Sequence, residues 1–336
     1  MNFKEMAAKP ERMTVGHRMC PGCGQATAAR LVIKSTDYPV VVANATGCLE
    51  VSTSIYPFSA WAVPWIHNAF ENAGATISGV ETAYRSLKKQ GKIPSDKEVK
   101  FIAFGGDGGT YDIGLQSLSG AMERGHDFAY FCFDNEGYMN TGIQRSSATP
   151  YGADTKTTPA GKVHPGKEEF KKDIAAIAAA HHIPYVAQAS VGNIIDLVAK
   201  AKKAIETPGP AFVVIMSPCI PGWRTPDNMA IKLSKMATET NFWPLFEIEN
   251  GVWKLNYEPK ERKPITEWMS MQGRFKHLMK EDKKDIVEKI QADVDLKFKE
   301  LKMKCEMSAS LAPKSEEPKK ETSEEKPKAK KSSKKK

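Results

Sequence analysis

FIAFGGDGGTYDIGLQSLSGAMERGHDFAYFCFDNEGYMNTGIQ, residues 101–144, decides the reading of this chain. An apolar run (Phe101–Phe104) is followed by Gly-Gly-Asp-Gly-Gly and an amphipathic segment. A second apolar run (Phe128–Phe133) then leads into Asp134-Asn135-Glu136-Gly137. Short apolar runs bounded by glycine, with a helical pattern between them, predict a strand–helix–strand unit of a parallel sheet. The polar residues then fall at the carboxyl ends of both strands, where open α/β sheets bind ligands.

Gly105, Gly106, Gly108 and Gly109 let the backbone turn sharply and bring its N–H groups close to an anion. Asp107 offers a hard oxygen, and Asn135 with a nearby backbone carbonyl offers more; Mg²⁺ holding a diphosphate takes such a set. Here the sequence resembles the thiamine-diphosphate enzymes, whose motif is Gly-Asp-Gly followed some thirty residues later by Asn. Gly106-Asp107-Gly108 and Asn135 match it.

Composition sets outer limits. The 336 residues are 41% hydrophobic and 9% aromatic, enough for one large or two ordinary globular cores. No apolar run approaches bilayer-spanning length, and MNFKEMAAKPER has no apolar signal region, so the expectation is a cytoplasmic protein without a membrane partner. Of the net charge of +9, a surplus of +5 lies in residues 313–336, which hold ten Lys and five Glu. A segment of that composition buries too little to order itself, and is expected to be a disordered tail. The folded part lacks a basic, aromatic stripe, so nucleic acid is not an expected partner.

The six cysteines are unevenly spaced. Cys20 and Cys23 form MCPGCG, Cys48 closes NATGC, Cys219 lies in SPCIPGW, Cys132 is inside an apolar strand, and Cys305 is near the tail. Without a signal peptide, a disulfide framework is not expected. A CxxC pair with two more loop cysteines suits zinc or iron–sulfur equally by count. Cys48 and Cys219 each follow an apolar strand, which puts them on the same rim as the Asp107 site. A redox centre makes more sense there than structural zinc.

Together these features resemble the cofactor-binding β subunit of pyruvate:ferredoxin oxidoreductase and related 2-oxoacid:acceptor oxidoreductases. The likeness is carried by residues 16–24 (GHRMCPGCG), 43–48 (ANATGC), 67–83 (HNAFENAGATISGVETA), 106–144, Ser217-Pro218-Cys219 and Gly222-Trp223. It implies a four-iron four-sulfur cluster on Cys20, Cys23, Cys48 and Cys219. It implies thiamine diphosphate against Thr46, Gly47, Cys48, Gly106, Asp107, Gly108, Asn135, Gly137 and Asn140, with Mg²⁺ on Asp107, Asn135 and the Gly137 carbonyl. The implied reaction converts pyruvate, coenzyme A and oxidised ferredoxin to acetyl-CoA, CO₂ and reduced ferredoxin, reversibly.

In this family the activating Glu stands on a pyrimidine-binding domain that these 336 residues do not supply. The resemblance therefore implies a separate α subunit, a γ subunit, a ferredoxin-like δ subunit and an external ferredoxin, and no certain catalytic residue in this chain. Other 2-oxoacids (2-oxoisovalerate, aryl 2-oxoacids, oxalate) and a non-redox thiamine-dependent decarboxylase subunit remain open.

The expected fold is α/β, a doubly wound parallel sheet with helices on both faces, a C-terminal helical extension and a disordered tail. Its parts are an arm at 1–15, the thiamine-diphosphate domain with the iron–sulfur site at 16–260, the extension at 261–305 and the tail at 306–336. Periodicity predicts helices at 25–34, 68–89, 167–182 and 192–206. It predicts strands at 39–43, 184–188 and 211–216, a hairpin around Asn250-Gly251, and amphipathic helices within 266–303. His67 and Glu71, four apart on the predicted helix 68–89 and its approach, raise an acid–base pairing. Tyr56, Phe58, Trp61 and Trp65 suit a loop that covers a cofactor or meets a partner.

Overall fold

The computed structural model describes residues 3–311. The chain runs α1 (Phe3–Ala8), α2 (Gly24–Lys34), β1 (Val40–Ala45), α3 (Cys48–Thr53), β2 (Trp65–Asn68), α4 (Ala73–Lys89) and β3 (Lys100–Gly106). A π-helical turn (Gly108–Ile113) leads into α5 (Leu115–Glu123) and β4 (Ala129–Asp134). Then come α6 (Ile174–Ala179), β5 (Tyr185–Ser190), α7 (Ile194–Glu206), β6 (Ala211–Met216), α8 (Ile220–Trp223) and α9 (Ala230–Glu239). The chain continues with β7 (Leu245–Glu249), β8 (Val252–Tyr257), α10 (Ile265–Ser270), a 3₁₀ turn (Gly273–Met279) and α11 (Lys284–Ser308).

The eight strands form one sheet in the order β2-β1-β3-β4-β6-β5-β7-β8. From β2 to β5 all pairs are parallel, and β7 and β8 add an antiparallel edge. The expected parallel sheet is thus present, and the expected hairpin extends it as that edge, where no crossover helix is needed. Its turn has positive φ at Asn250 (49°) and Gly251 (84°), as the Asn-Gly pair predicts.

Alternate residues of the central strands feed two cores, as the two-residue period of a strand requires. Ile102, Phe104, Phe131 and Phe133 pack with α2 and α7, while Phe101, Ala103, Tyr130 and Cys132 pack with α4, α5 and α6. All six residues of β4, and all six of β6, are buried. Such strands read as unbroken apolar runs because both faces are covered.

From β1 the chain crosses outward to β2, then returns to place β3 on the other side of β1. Sheet order therefore reverses between β1 and β3, and a crevice opens beyond the carboxyl ends of these two strands. Thr46-Gly47-Cys48 leaves the end of β1 at this crevice, and Gly106-Asp107-Gly108 leaves the end of β3.

Several expectations change. Helix 68–89 begins at Ala73, because Trp65–Asn68 pairs with Val42–Ala45 as an edge strand. His67 therefore stands on β2, and its ring meets Glu50 Oε1 at 2.5 Å rather than Glu71. Helix 167–182 shrinks to α6, capped by Asp173, whose side chain accepts the Ala176 N–H. The N-terminal segment lies on its own body: Met6 and Met13 are buried. Residues past 261 share the main core through Trp268, Phe275, Val294 and Phe298. Helix α11 runs past 305 to Ser308. The expected tail beyond 311 lies outside the described residues.

Candidate functional site

One cleft at the switch point is lined by all nine residues expected to meet the thiamine cofactor: Thr46, Gly47, Cys48, Gly106, Asp107, Gly108, Asn135, Gly137 and Asn140. Gln25, Phe70, Gly109, Tyr138, Met139 and Thr141 complete it. A larger apolar cleft lies elsewhere, between α11 and the loops around Phe170 and Trp243. It is not where the polar groups converge.

The glycines have different reasons to be there. A Cβ on Gly47 or Gly106 would meet nothing within 4 Å, so both present bare backbone to open space. A Cβ on Gly108 would lie 2.4 Å from the Tyr138 ring, whose hydroxyl donates to the Gly108 carbonyl at 2.8 Å. The ring thus closes over the turn on a site only glycine leaves free.

Asp107 is buried, and two groups hold it. Ser146 Oγ donates to Oδ2 at 2.6 Å, and the Asn135 backbone N–H donates to Oδ1 at 3.2 Å. Burial, followed by the neighbouring Asp134, pushes the Asp107 carboxyl well above the ordinary carboxylate range. The Asn135 side-chain amide faces two oxygens, the Gly137 carbonyl at 2.8 Å and Asp107 Oδ1 at 2.9 Å. Turned one way, the amide nitrogen donates to both; turned the other way, its oxygen joins them as a third acceptor, the arrangement that a cation would hold. Adjacent ligands of an octahedral Mg²⁺, each at about 2.0–2.1 Å, lie about 2.9 Å apart. The oxygen set fits that ion.

The buried charges point the same way. Asp107, Asp134 and Glu136 are carboxylates, while Lys171 and Arg274 supply two cations. Lys171 bridges Asp134 (2.7 Å) and Glu136 (3.2 Å), and Arg274 meets Glu136 at 2.5 Å. Both cations pair with Asp134 or Glu136, not with Asp107, the carboxylate that faces Asn135 and Gly137.

Thr46 serves the fold as well as the cleft, since its hydroxyl and its N–H both donate to the Asn68 carbonyl at 2.8 Å, fixing β2. Gln25 was not anticipated as a site residue. Its side chain is 3% exposed and its Oε1 has no partner, a buried acceptor at the cleft wall. The sequence signal was adjacency: it directly follows MCPGCG.

The cysteines converge beside this cleft. Cys23 caps α2, Cys48 opens α3 off β1, and Cys219 caps α8 off β6, accepting the Gly222 N–H at 3.3 Å. Amides of Gln25 and Ala26 point to the Cys23 sulfur. Burial, then the neighbouring Cys219, Cys23 and Cys20, pushes the Cys48 thiol up to about 12. Burial likewise lifts Cys219 to about 12. Cys48 thus lies within electrostatic reach of the other three. Among the described residues, no three His, Cys, Asp or Glu side chains form a site for a single ion. Cys132 is buried in β4, and Cys305 lies on α11.

The family model described as the C-terminal thiamine-pyrophosphate-binding domain of thiamine pyrophosphate enzymes matches residues 45–215. The pyruvate synthase subunit PorB of Thermotoga maritima is 52% identical over 309 residues, covering 90% of this chain and 95% of that relative. Its counterpart in Methanocaldococcus jannaschii is 51% identical, with 87% and 96% covered. The ketoisovalerate oxidoreductase subunit VorB of Pyrococcus abyssi is 45% identical, with 81% and 88% covered. A 2-oxoglutarate:ferredoxin oxidoreductase structure from Magnetococcus marinus shares the fold, with a TM-score of 0.53 at 23% identity over 66% of this chain and 70% of that one. With half-identical relatives along nearly its whole length, and a switch-point cleft built around Gly106-Asp107-Gly108, the chain belongs to the thiamine-diphosphate-binding β subunits of the 2-oxoacid:ferredoxin oxidoreductases.

Proposed function

We propose that this chain is the β subunit of a pyruvate:ferredoxin oxidoreductase that forms acetyl-CoA and CO₂ from pyruvate and coenzyme A, holding Mg²⁺-thiamine diphosphate and a four-iron four-sulfur cluster side by side. The observation that carries this is the convergence of Asp107 Oδ1, the Asn135 side-chain amide and the Gly137 carbonyl in a cleft that also contains Cys48. Thiamine diphosphate, when bound, supplies the carbon nucleophile for decarboxylation, and the cluster supplies one-electron acceptance.

The chain's own residues have four tasks. Asp107, Asn135 and Gly137 hold the cation, and the bare backbone at Gly47 and Gly106 leaves room for the diphosphate. Ser146 fixes the Asp107 carboxylate by its other oxygen. Gln25 offers a buried acceptor, and Asn140 and Thr141 add polar groups at the rim. Cys20, Cys23, Cys48 and Cys219 are the proposed iron ligands. Cys48 belongs to both sets, and Met139, a wall residue of the cleft, lies against Gly222 in the turn capped by Cys219.

Pyruvate is the proposed substrate on likeness to the PorB relatives, and a branched 2-oxoacid is the second reading, on likeness to VorB. The remaining parts, an α subunit with the pyrimidine-binding domain, γ and ferredoxin-like δ subunits and an external ferredoxin, belong to the same proposal. So does a cytoplasmic location; among the described residues no helix is long and apolar enough to cross a membrane. Co-expression with the partner subunits, anaerobic purification and assay with a 2-oxoacid panel test it. Turnover of pyruvate by the complex and none by this chain alone is expected. A complex without thiamine diphosphate or iron overturns it.

A further inference from the structure

Arg274 stands on the 3₁₀ turn Gly273–Met279, beyond the sheet, yet its guanidinium is buried against the loop that carries Asn135 and Gly137. Its Nη2 donates to Glu136 Oε2 at 2.5 Å and its Nε to Gln272 Oε1 at 2.8 Å. Its Cζ lies 3.9 Å from the centre of the Trp223 ring. Trp223 ends the helical turn capped by Cys219, and its indole N–H donates to the Asn135 carbonyl at 2.8 Å.

Glu136 sits between the two expected magnesium ligands with φ of 66°, a conformation that side chains other than glycine adopt at a cost. That turn directs the Asn135 side chain and the Gly137 carbonyl toward Asp107. Four bonds keep it: to Arg274, to Lys171 at 3.2 Å, from Thr149 Oγ1 to the Glu136 carbonyl at 2.8 Å, and from the Glu136 N–H to Asp134 Oδ1 at 3.0 Å. Lys171 is shared with Asp134, whereas Arg274 gives Glu136 its shortest bond and reaches Trp223 as well.

We propose that Arg274 is a positioning residue that couples the two cofactor sites. By its bond to Glu136 it holds the magnesium-binding turn in its left-handed form, and by its stack on Trp223 it holds the turn beginning at Cys219. It does not line the cleft of Asp107. A planar, permanently charged, stackable cation is needed for both contacts, and lysine offers only the charge. The inference rests on the reading given under Proposed function.

The test uses the complex with its partner subunits, prepared anaerobically, with Arg274→Met, Arg274→Lys and Glu136→Gln. Two quantities are read: the Mg²⁺ concentration that half-saturates thiamine diphosphate binding, and the midpoint potential of the cluster ligated by this chain. Arg274→Met is expected to raise the first by about 10- to 100-fold, the range for losing a group that orients a ligand. It is also expected to make the potential more negative, since a positive charge near Cys219 favours the reduced cluster. Arg274→Lys should restore the potential more fully than the magnesium dependence, and Glu136→Gln should move the magnesium dependence. If Arg274→Met does not assemble, the split seen with Arg274→Lys decides alone. Wild-type values in the assembled variants overturn the inference while leaving the proposed function intact. A wild-type complex that loads neither cofactor defeats the proposed function instead.

Discussion

Ser146 Oγ donates to Asp107 Oδ2 at 2.6 Å, on the carboxylate oxygen opposite the one that faces Asn135. The hydroxyl thus fixes the carboxylate plane and leaves Oδ1 for a cation. Asp107→Ala takes a charge from the oxygen set and is expected to weaken Mg²⁺-dependent thiamine diphosphate binding by more than about 100-fold. Losing one partner of a buried charged contact costs about 3–5 kcal/mol. Ser146→Ala removes only the orienting bond and should cost about 10- to 100-fold. Calorimetric titration of the cofactor at several Mg²⁺ concentrations separates them. Equal, small effects would mean that Asp107 is not a cation ligand.

Cysteine replacements distinguish cluster from core. Cys48→Ser and Cys219→Ser should remove this chain's share of the iron, and of the broad absorption near ~400 nm of thiolate-bound iron, from anaerobically purified complex. Cys132→Ala, within β4, and Cys305→Ser, on α11, should leave both signals in place. Wild-type iron content in the Cys219→Ser complex, or zinc found in place of the missing iron, would rule out the proposed ligand set.

What the sequence made legible was local or periodic. Apolar runs bounded by glycine marked β3 and β4, and Asn250-Gly251 marked the final hairpin. The two strand-end motifs marked both sides of the crevice. What escaped was set by distant partners. Trp65–Asn68 resembles the start of a helix until β1 is beside it, and the spacing of His67 and Glu71 imitated a helical pair. Lys167 and Lys171 sit in a stretch with helical periodicity, yet both are drawn inward. Lys167 donates to the Thr149 carbonyl and Lys171 meets Asp134 and Glu136. Arg274 and Glu136 are 138 residues apart, beyond any spacing rule.

Two glycine-to-alanine changes should move in opposite directions. Gly22, in the CPGC loop, has φ of 71°, and a Cβ there would lie 1.6 Å from the Asp227 carbonyl oxygen. Gly22→Ala must displace one loop or the other, on top of the roughly 1–2 kcal/mol that a left-handed residue costs. Loss of iron from an otherwise assembled complex is the expected result. Gly79 lies in α4, exposed, with nothing within 4 Å of a new Cβ. Gly79→Ala should stabilise the chain by about 0.5–1 kcal/mol in urea unfolding. A Gly22→Ala complex with full iron would show that the loop tolerates a shift at Asp227.

Glu11 ties the N-terminal segment to α2. Its carboxylate accepts from Arg30 at 2.6 Å and from Lys34 at 2.7 Å, and these partners, Arg30 foremost, lower its pKa from the ordinary range to about 2. Linkage sets the sign: a carboxyl whose folded pKa is depressed stabilises the fold above its unfolded value, about 4.3, and loses that contribution as pH falls toward 2. Because the side chain is 42% exposed, solvent screening keeps the effect small, below about 1 kcal/mol. Glu11→Gln should therefore unfold in slightly less urea than wild type at pH 7, with the gap narrowing between about pH 4.3 and 2. Glu11 also borders the cleft around Cys20 and Cys23, so the same variant should lose iron faster on dilution at neutral pH. A gap in urea midpoint that stays constant from pH 7 down to 3 would show that the ion pairs contribute nothing and that only packing was changed.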